Sequence, residues 1–288
     1  MDRFEVIGVV GCGLMGSGIA EVAARSGRRV VVHEPDVGAL DRGRQRIEQS
    51  LGRARTRGKL SDEDHDIALE RLSFSDDIGE LAPADLVIEA IVEAEAPKLG
   101  VFTALDGVVG PDAILASNTS SIPIMKLAMA TSRPDHVIGL HFFNPVPVLD
   151  LVELVPSLLT SEVTVEATTR FAEEVLHKQV IKAKDRAGFV VNALLIPYVL
   201  SAIRMLESGF ASAEDIDLGM VQGCAHPMGP LALADLIGLD TVQAIAESLY
   251  SEFKEPLHAP PPLLSRMVDA GLLGRKAGHG FYPYGGPA

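Results

Sequence analysis

Through the first two thirds of the chain, short apolar runs alternate with longer stretches whose apolar positions follow the helical period. The runs are EVIGVV (5–10), RVVVHE (29–34), ADLVIEA (84–90), DAILASN (112–118) and DHVIGLH (135–141). Strands covered on both faces read as continuous apolar runs, so this alternation predicts an α/β domain over residues 1–185. Its architecture is a Rossmann-type, mostly parallel sheet with helices on both faces. A further run, LVELV (151–155), follows the turn-rich FFNPVPVLD (142–150) and is expected to return beside the strand at 135–141.

From about residue 187 the β-branched runs give way to long apolar stretches of helical period, broken at ESGFAS (207–212), CAHPMGPL (224–231) and HAPPP (258–262). An all-helical C-terminal domain over 186–288 is predicted. Its apolar content exceeds what so few helices bury among themselves, which points to a homodimer through this domain. The segment 187–203 is strongly apolar, but Asn192 and Pro197 interrupt it and it falls short of the ~20 residues a membrane span needs. A buried helix is expected there.

A length of 288 residues suits two domains, since single cores stop growing near ~250 to 300 residues. The opening MDRFEVIGVV runs straight into a strand pattern with no basic and apolar leader, so a cytoplasmic protein is expected. Cys12 and Cys224 have no C-x-x-C neighbour and read as free thiols. A formal charge of −14 argues against nucleic acid as a partner. One local exception stands out: Arg42, Arg44, Arg46, Arg53, Arg55, Arg57 and Lys59 face only Asp41 and Glu48 in their stretch. That stretch is either a solvated helix and loop or a site for an anion.

The first strand ends in GCGLMG, and a helical run, SGIAEVAARSG, follows; this context raises a G-x-G-x-x-G match above chance. Gly11 permits the tight turn, Gly13 lets backbone approach a pyrophosphate, and Gly16 allows close packing of helix on strand. Leu14 and Met15 complete the candidate contacts of the turn. Glu34 ends the second strand at the spacing expected for an acid that accepts bonds from ribose hydroxyls and repels a 2′-phosphate, so NAD is expected over NADP.

A nicotinamide cofactor leaves the proton transfer to the protein. Of eight histidines, His33 precedes the ribose acid, His65 and His177 lie in polar helix patterns, and His258 and His279 sit in turn-rich segments. No pair has the H-x-x-x-H spacing of a metal site. His141 closes a predicted parallel strand, at the sheet edge where α/β folds place ligands, and Glu153 on the returning strand can face it. A carboxylate on one ring nitrogen fixes the tautomer and leaves the other nitrogen to take a proton.

GCGLMGSGIA, SNTSSIPI, GLHFFNPVPVLDLVE, AGFVVNALLIPY, HPMGPLALADLIGLD and GLLGRKAGHGFY together resemble the 3-hydroxyacyl-CoA dehydrogenases, across the whole chain and in particular their short bacterial 3-hydroxybutyryl-CoA type. The resemblance implies reversible NAD-linked oxidation of (S)-3-hydroxyacyl-CoA to 3-ketoacyl-CoA, in β-oxidation or the reverse pathway. It implies His141 as base and Glu153 as its partner. Ser120 and Asn192 match residues near the reacting oxygens, and Asn144 one that orients the site. Glu93 and Lys98 match positions at the nicotinamide end, and the helical insertion carrying Arg53, Arg55, Arg57 and Lys59 is expected to contact the CoA phosphates. Ala187 and Ala193 depart from the family's proline and arginine, and Asp150 stands where lysine is common.

From the residues alone, Ser120 and Ser121 also suit capping of a helix at IPIMKLA, and Asn192 within GFVVNALLI calls for a polar partner. Two other functions remain open: an NAD enzyme of a free hydroxy acid or sugar acid, and a non-catalytic NAD-binding scaffold.

Overall fold

A computed structural model describes residues 4–285. The chain divides into two compact units at Asp185/Arg186. In the first, β1 (Val6–Val10), α1 (Leu14–Arg25), β2 (Arg29–His33), α2 (Val37–Thr56), α3 (Asp62–Glu70) and β3 (Leu72–Ser75) are followed by β4 (Leu86–Glu89), α4 (Glu95–Val108), β5 (Ile114–Ser117), α5 (Ile124–Ala128), β6 (Val137–Phe142), β7 (Leu151–Pro156), α6 (Glu162–Arg170) and β8 (Gln179–Lys182).

The eight strands form one sheet in the order β3-β2-β1-β4-β5-β6-β7-β8. All pairings are parallel except β6 with β7, which is antiparallel. β1, β4 and β5 are buried at every position, which requires cover on both faces of the sheet. The apolar runs therefore became the central strands. The sequence pattern missed β3 and β8, the two edge strands: each has four residues and is only partly buried, so neither carries a continuous apolar run.

Ile7, Val9, Ile19, Val32, Ile47 and Leu51 are among the side chains that pack β1, β2, α1 and α2 into one core. Each such burial contributes about 1.5–3 kcal/mol. Leu40, Gly43, Ile47 and Leu51, the buried positions of α2, recur at three and four residues and turn Arg42, Arg44, Arg53 and Arg55 outward, while half-buried Arg46 donates to the Cys12 carbonyl and the Ser17 hydroxyl. Asp36 starts α2 by accepting from the Ala39 N–H.

The second unit holds α7 (Val191–Glu207), α8 (Ala213–Cys224), α9 (Pro230–Ile237), α10 (Leu239–Phe253) and α11 (Pro262–Asp269). Ile196, Val199, Leu200 and Ile203 of α7 join Leu231, Val242, Leu249 and Leu264 in its core. The expectation of a buried helix holds for one face of α7 only, because Leu194 on the other is 73% exposed. Two buried carboxylates fasten the unit. Asp217 accepts from the Leu231 and Ala232 N–H groups and from the Tyr282 hydroxyl. Asp235 accepts from the Phe281 and Tyr282 N–H groups and the Tyr284 hydroxyl. A Cβ at Gly229 or Gly280 would stand 2.3 or 2.0 Å from these aspartates, which explains the glycines of HPMGPL and GHGFY. Burial and the bond to Asp217 push the Tyr282 hydroxyl's pKa up. Among the described residues, no helix is long and apolar enough to cross a membrane.

Candidate active site

The sheet order reverses between β1 and β4: β1 is followed outward by β2 and β3 on one side, and the chain then returns to β4 on the other. Ligands of open α/β sheets bind beyond the carboxyl ends of the strands at such a point. Gly11, at φ +95°, turns the chain out of β1, and a Cβ at Gly16 would meet the Gly11 carbonyl at 1.8 Å. Gly13 caps α1 without a side chain, and a Cβ there would point into open space. The first-turn N–H groups of α1, at exposed Leu14 and half-buried Met15 among others, have no acceptor within the helix. An anion there would meet those N–H groups and the positive end of the helix. Glu34 lies one residue beyond β2 and accepts from the Cys12 N–H at 3.2 Å, so its carboxylate is held against the glycine turn. These features fit a dinucleotide, with its ribose toward β2.

On the other side of the switch point stand two buried acid–base pairs. His141 on β6 and Glu153 on β7 are direct cross-strand partners, so their side chains project from the same face. His141 Nδ1 lies 2.7 Å from Glu153 Oε2. Glu153 is fully buried and His141 nearly so. A carboxylate only accepts, so Nδ1 carries the hydrogen and Nε2 is the nitrogen able to take a proton. The Phe143 ring meets the imidazole edge to face at 4.7 Å and steadies its plane. Asn118 accepts from the Phe142 N–H, tying the turn after β5 to the strand that carries the histidine.

The second pair joins Glu89, at the end of β4, to Lys98 of α4, both buried. Glu89 also accepts from the Ser117 hydroxyl at 2.6 Å and the Ile91 N–H at 2.7 Å. Lys98 Nζ reaches Glu93 Oε2 at 3.3 Å, and Glu93 in turn accepts from Thr119, Ser120 and Ser121. Burial opposes the charge on Glu93, but Lys98 and these donors outweigh it and hold its carboxyl below the usual range.

The structure thus brings Glu93, Lys98 and Ser120 together, and His141 with Glu153. The Ser120 hydroxyl donates to Glu93 at 3.2 Å. The capping expectation for Ser120 and Ser121 is overturned: the N-cap of α5 is Pro123, with no side-chain bond, and Asp185 receives the Ile124 and Met125 N–H groups instead. Asn144 is exposed, precedes a cis peptide to Pro145, and borders a narrow pocket of about 100 Å³ with Ser17, Glu21, Arg46, Ser50 and Arg53. Asn192 belongs to the second unit, half-buried in the first turn of α7.

The basic stretch is helical for most of its length. Arg53 and Arg55 lie on α2, Arg57 caps its end and Lys59 follows in the turn, because the apolar period of α2 continues to Leu51. Arg55 sits 3.7 Å from Asp62. His177 also departs from expectation, with a left-handed conformation (φ 55°) in place of a helical one. Sequence reasoning missed Glu89, Ser117, Asn118 and Lys178. Buried Lys178 donates to the Val146 and Leu149 carbonyls at 2.8 and 2.7 Å, which pins the turn between β6 and β7; burial lowers its pKa. ADLVIEA and SNTSS contained the signal: a polar residue closing each apolar run.

A glycine turn at a sheet switch point, an acid at the second strand and a histidine–carboxylate pair across the cleft edge define the class of dinucleotide-dependent dehydrogenases with a side-chain base. The family models agree in detail. Residues 6–186 match the 3-hydroxyacyl-CoA dehydrogenase NAD-binding domain and residues 188–284 the 3-hydroxyacyl-CoA dehydrogenase C-terminal domain. The chain belongs to the 3-hydroxyacyl-CoA dehydrogenase family. It is 58% identical to a 3-hydroxybutyryl-CoA dehydrogenase of Mycobacterium tuberculosis, over 98% of this chain and 99% of the relative. It is 42% identical to the human mitochondrial hydroxyacyl-coenzyme A dehydrogenase, over 96% and 90%. Among solved structures, M. tuberculosis FadB2 superposes with a TM-score of 0.97 at 58% identity, covering 98% of this chain and 100% of that one. The (S)-3-hydroxybutyryl-CoA dehydrogenase PaaH1 of Ralstonia eutropha gives 0.92 at 46%, covering 98% and 99%.

Proposed function

We propose that the protein is an NAD-dependent (S)-3-hydroxyacyl-CoA dehydrogenase of short-chain substrates, 3-hydroxybutyryl-CoA foremost, acting in β-oxidation or its reverse. The observation that carries this reading is the His141–Glu153 pair at 2.7 Å on the carboxyl edge of a sheet that also offers a dinucleotide cradle. A bound NAD would supply the hydride acceptor for C3 of the substrate and, when reduced, the hydride donor. His141 Nε2 takes the proton of the 3-hydroxyl, and in reduction gives it back to the ketone oxygen. Glu153 holds Nδ1–H throughout and stabilises the imidazolium that forms. Ser120 and Asn192 orient the substrate oxygens, Asn144 the cleft, and Glu93 with Lys98 the nicotinamide end.

For the acyl carrier, the reading assigns the CoA phosphates to the basic end of α2. Arg53, Arg55, Arg57 and Lys59 remain its contacts, and the pocket at Ser50 and Asn144 adds Arg46. Arginine's planar fork suits phosphate. Initial rates of NADH oxidation with acetoacetyl-CoA and with free acetoacetate test the reading: activity on the thioester alone supports it, and equal activity on both assigns the enzyme to free hydroxy acids.

The proposed assembly is a cytoplasmic homodimer. Its support is the exposed apolar side chains of the helical unit: Leu194 and Met205 on α7, Phe210 in the following turn, and Leu218 on α8. Phe210→Asp with Leu194→Asp should give a monomer by analytical ultracentrifugation.

A further inference from the structure

Proton transfer at His141 leaves the Glu89–Lys98 pair unused, yet burying two full charges is costly, and apolar side chains of the same volume would often serve stability as well. Their surroundings point to a use. Lys98 lies between two carboxylates, Glu89 Oε1 and Glu93 Oε2, so one ammonium serves two acids and a formal charge of −1 remains. Glu89 is fully buried at the end of β4, and its register partner on β5 is Ser117, which donates to it. Glu93 is the more exposed acid, and it gathers the turn at 119–121.

The direction of a bound dinucleotide follows from the sheet. Glu34 puts the ribose end on the β2 side of the glycine turn, so the other half runs across the switch point over β4 and β5, toward His141 on β6. Its nicotinamide is cationic when oxidised and neutral when reduced. A fixed negative charge beside the ring acts on the first form and hardly on the second.

We propose that Glu89 is a positioning residue of the cofactor site: through Lys98 it fixes Glu93 and leaves one uncompensated negative charge, so that the protein binds NAD⁺ in preference to what the same cleft would bind without Glu89, relative to NADH. The inference rests on the reading that the nicotinamide lies over β4 and β5. It makes Glu89 a determinant of the ratio of the two dissociation constants, and thereby of the equilibrium between bound reactants and products.

Glu89→Gln tests it in the full-length protein, because the amide keeps the shape and an acceptor oxygen while removing the charge. NADH affinity is read by fluorescence titration and NAD⁺ affinity by competition. The expected result is a fall in NAD⁺ affinity at least ~5-fold greater than any fall for NADH, equivalent to about 1 kcal/mol. Glu89→Asp keeps the charge and should keep the wild-type ratio even where both affinities drop. Equal weakening of both cofactors in Glu89→Gln overturns the proposal, since a merely structural role moves both alike. A parallel Glu93→Gln variant separates the layers. If it shifts the ratio and Glu89→Gln does not, the proposal fails alone. If neither shifts it, the placement of the nicotinamide fails with it.

Discussion

Two fully buried carboxylates lie along the same sheet edge, Glu153 near the start of β7, opposite His141 of β6, and Glu89 at the end of β4. Their partners separate them. Glu153 holds an imidazole, whose second ring nitrogen can accept and return a proton, whereas Glu89 holds an ammonium, which has donors and no acceptor. Equal burial therefore builds a proton-transfer device at one end of the edge and a fixed field at the other. The backbone follows suit. β6 and β7 form an antiparallel pair, which sets histidine and glutamate directly opposite, while β4 and β5 run parallel and the lysine must come from a helix.

The strongest way to break the comparison is at the proton-transfer end. His141→Ala removes the proton acceptor, for which general-base catalysis supplies typically ~100 to 10,000-fold, so kcat with acetoacetyl-CoA should fall by that range. NADH binding should stay within about twofold, because the histidine holds none of the glycine turn. Glu153→Gln should lower kcat in the same direction, through the wrong tautomer. A His141→Ala enzyme with near wild-type turnover would return the residue to a structural role.

At the fixed-field end the large effect should be on stability. Lys98→Met strands Glu89 without a counter-charge, and breaking a buried pair costs about 3–5 kcal/mol. Glu89→Gln/Lys98→Met removes both charges and should recover most of that loss. Urea denaturation at pH 7 measures both. If the double variant is as unstable as the single one, the pair is not a matched unit.

The proton-transfer pair was legible in the sequence because each half announces itself locally: His141 ends an apolar run, and LVELV has the strand period that brings Glu153 back. The glycine turn and Glu34 were legible for the same reason, since spacing along the chain maps onto distance in space. Glu89, Ser117 and Asn118 were not. Each closes a strand whose neighbour is distant in sequence, and its meaning comes from a register that no local pattern encodes. Lys178 was hidden likewise, because a lysine beside an edge strand reads as solvated until its two carbonyl acceptors are known. The basic stretch was legible as helical, because Leu40, Gly43, Ile47 and Leu51 carry the helical period, but which of its exposed cations meet a phosphate is written in no local pattern.

A smaller effect tests the far side of the switch point. Glu34 is expected to bond ribose hydroxyls and repel a 2′-phosphate, so kcat/KM for NADH should exceed that for NADPH at least ~10-fold, or ~1.4 kcal/mol. Glu34→Ala should reduce the ratio chiefly by weakening NADH. Equal use of both cofactors by the wild type would remove Glu34 from the cofactor site.

The smallest effect concerns Glu93, the acid that links the fixed field to the serine turn. Burial works against its charge, but Lys98 and the donors at Thr119, Ser120 and Ser121 prevail, so its folded-state pKa lies below the unfolded one. A depressed carboxyl contributes stability that is present above the unfolded value of ~4.3 and is lost as pH falls through the folded value. Glu93→Gln lacks that contribution at every pH. The urea midpoints of wild type and variant should therefore differ at pH 6–7 and converge as the pH is lowered through 4 toward 3, with the wild type the more stable at the upper end. A gap that stays constant over this range would mean that Glu93 gains nothing from Lys98 on folding, and Lys98 would then serve Glu89 alone, leaving Glu93 as the uncompensated charge.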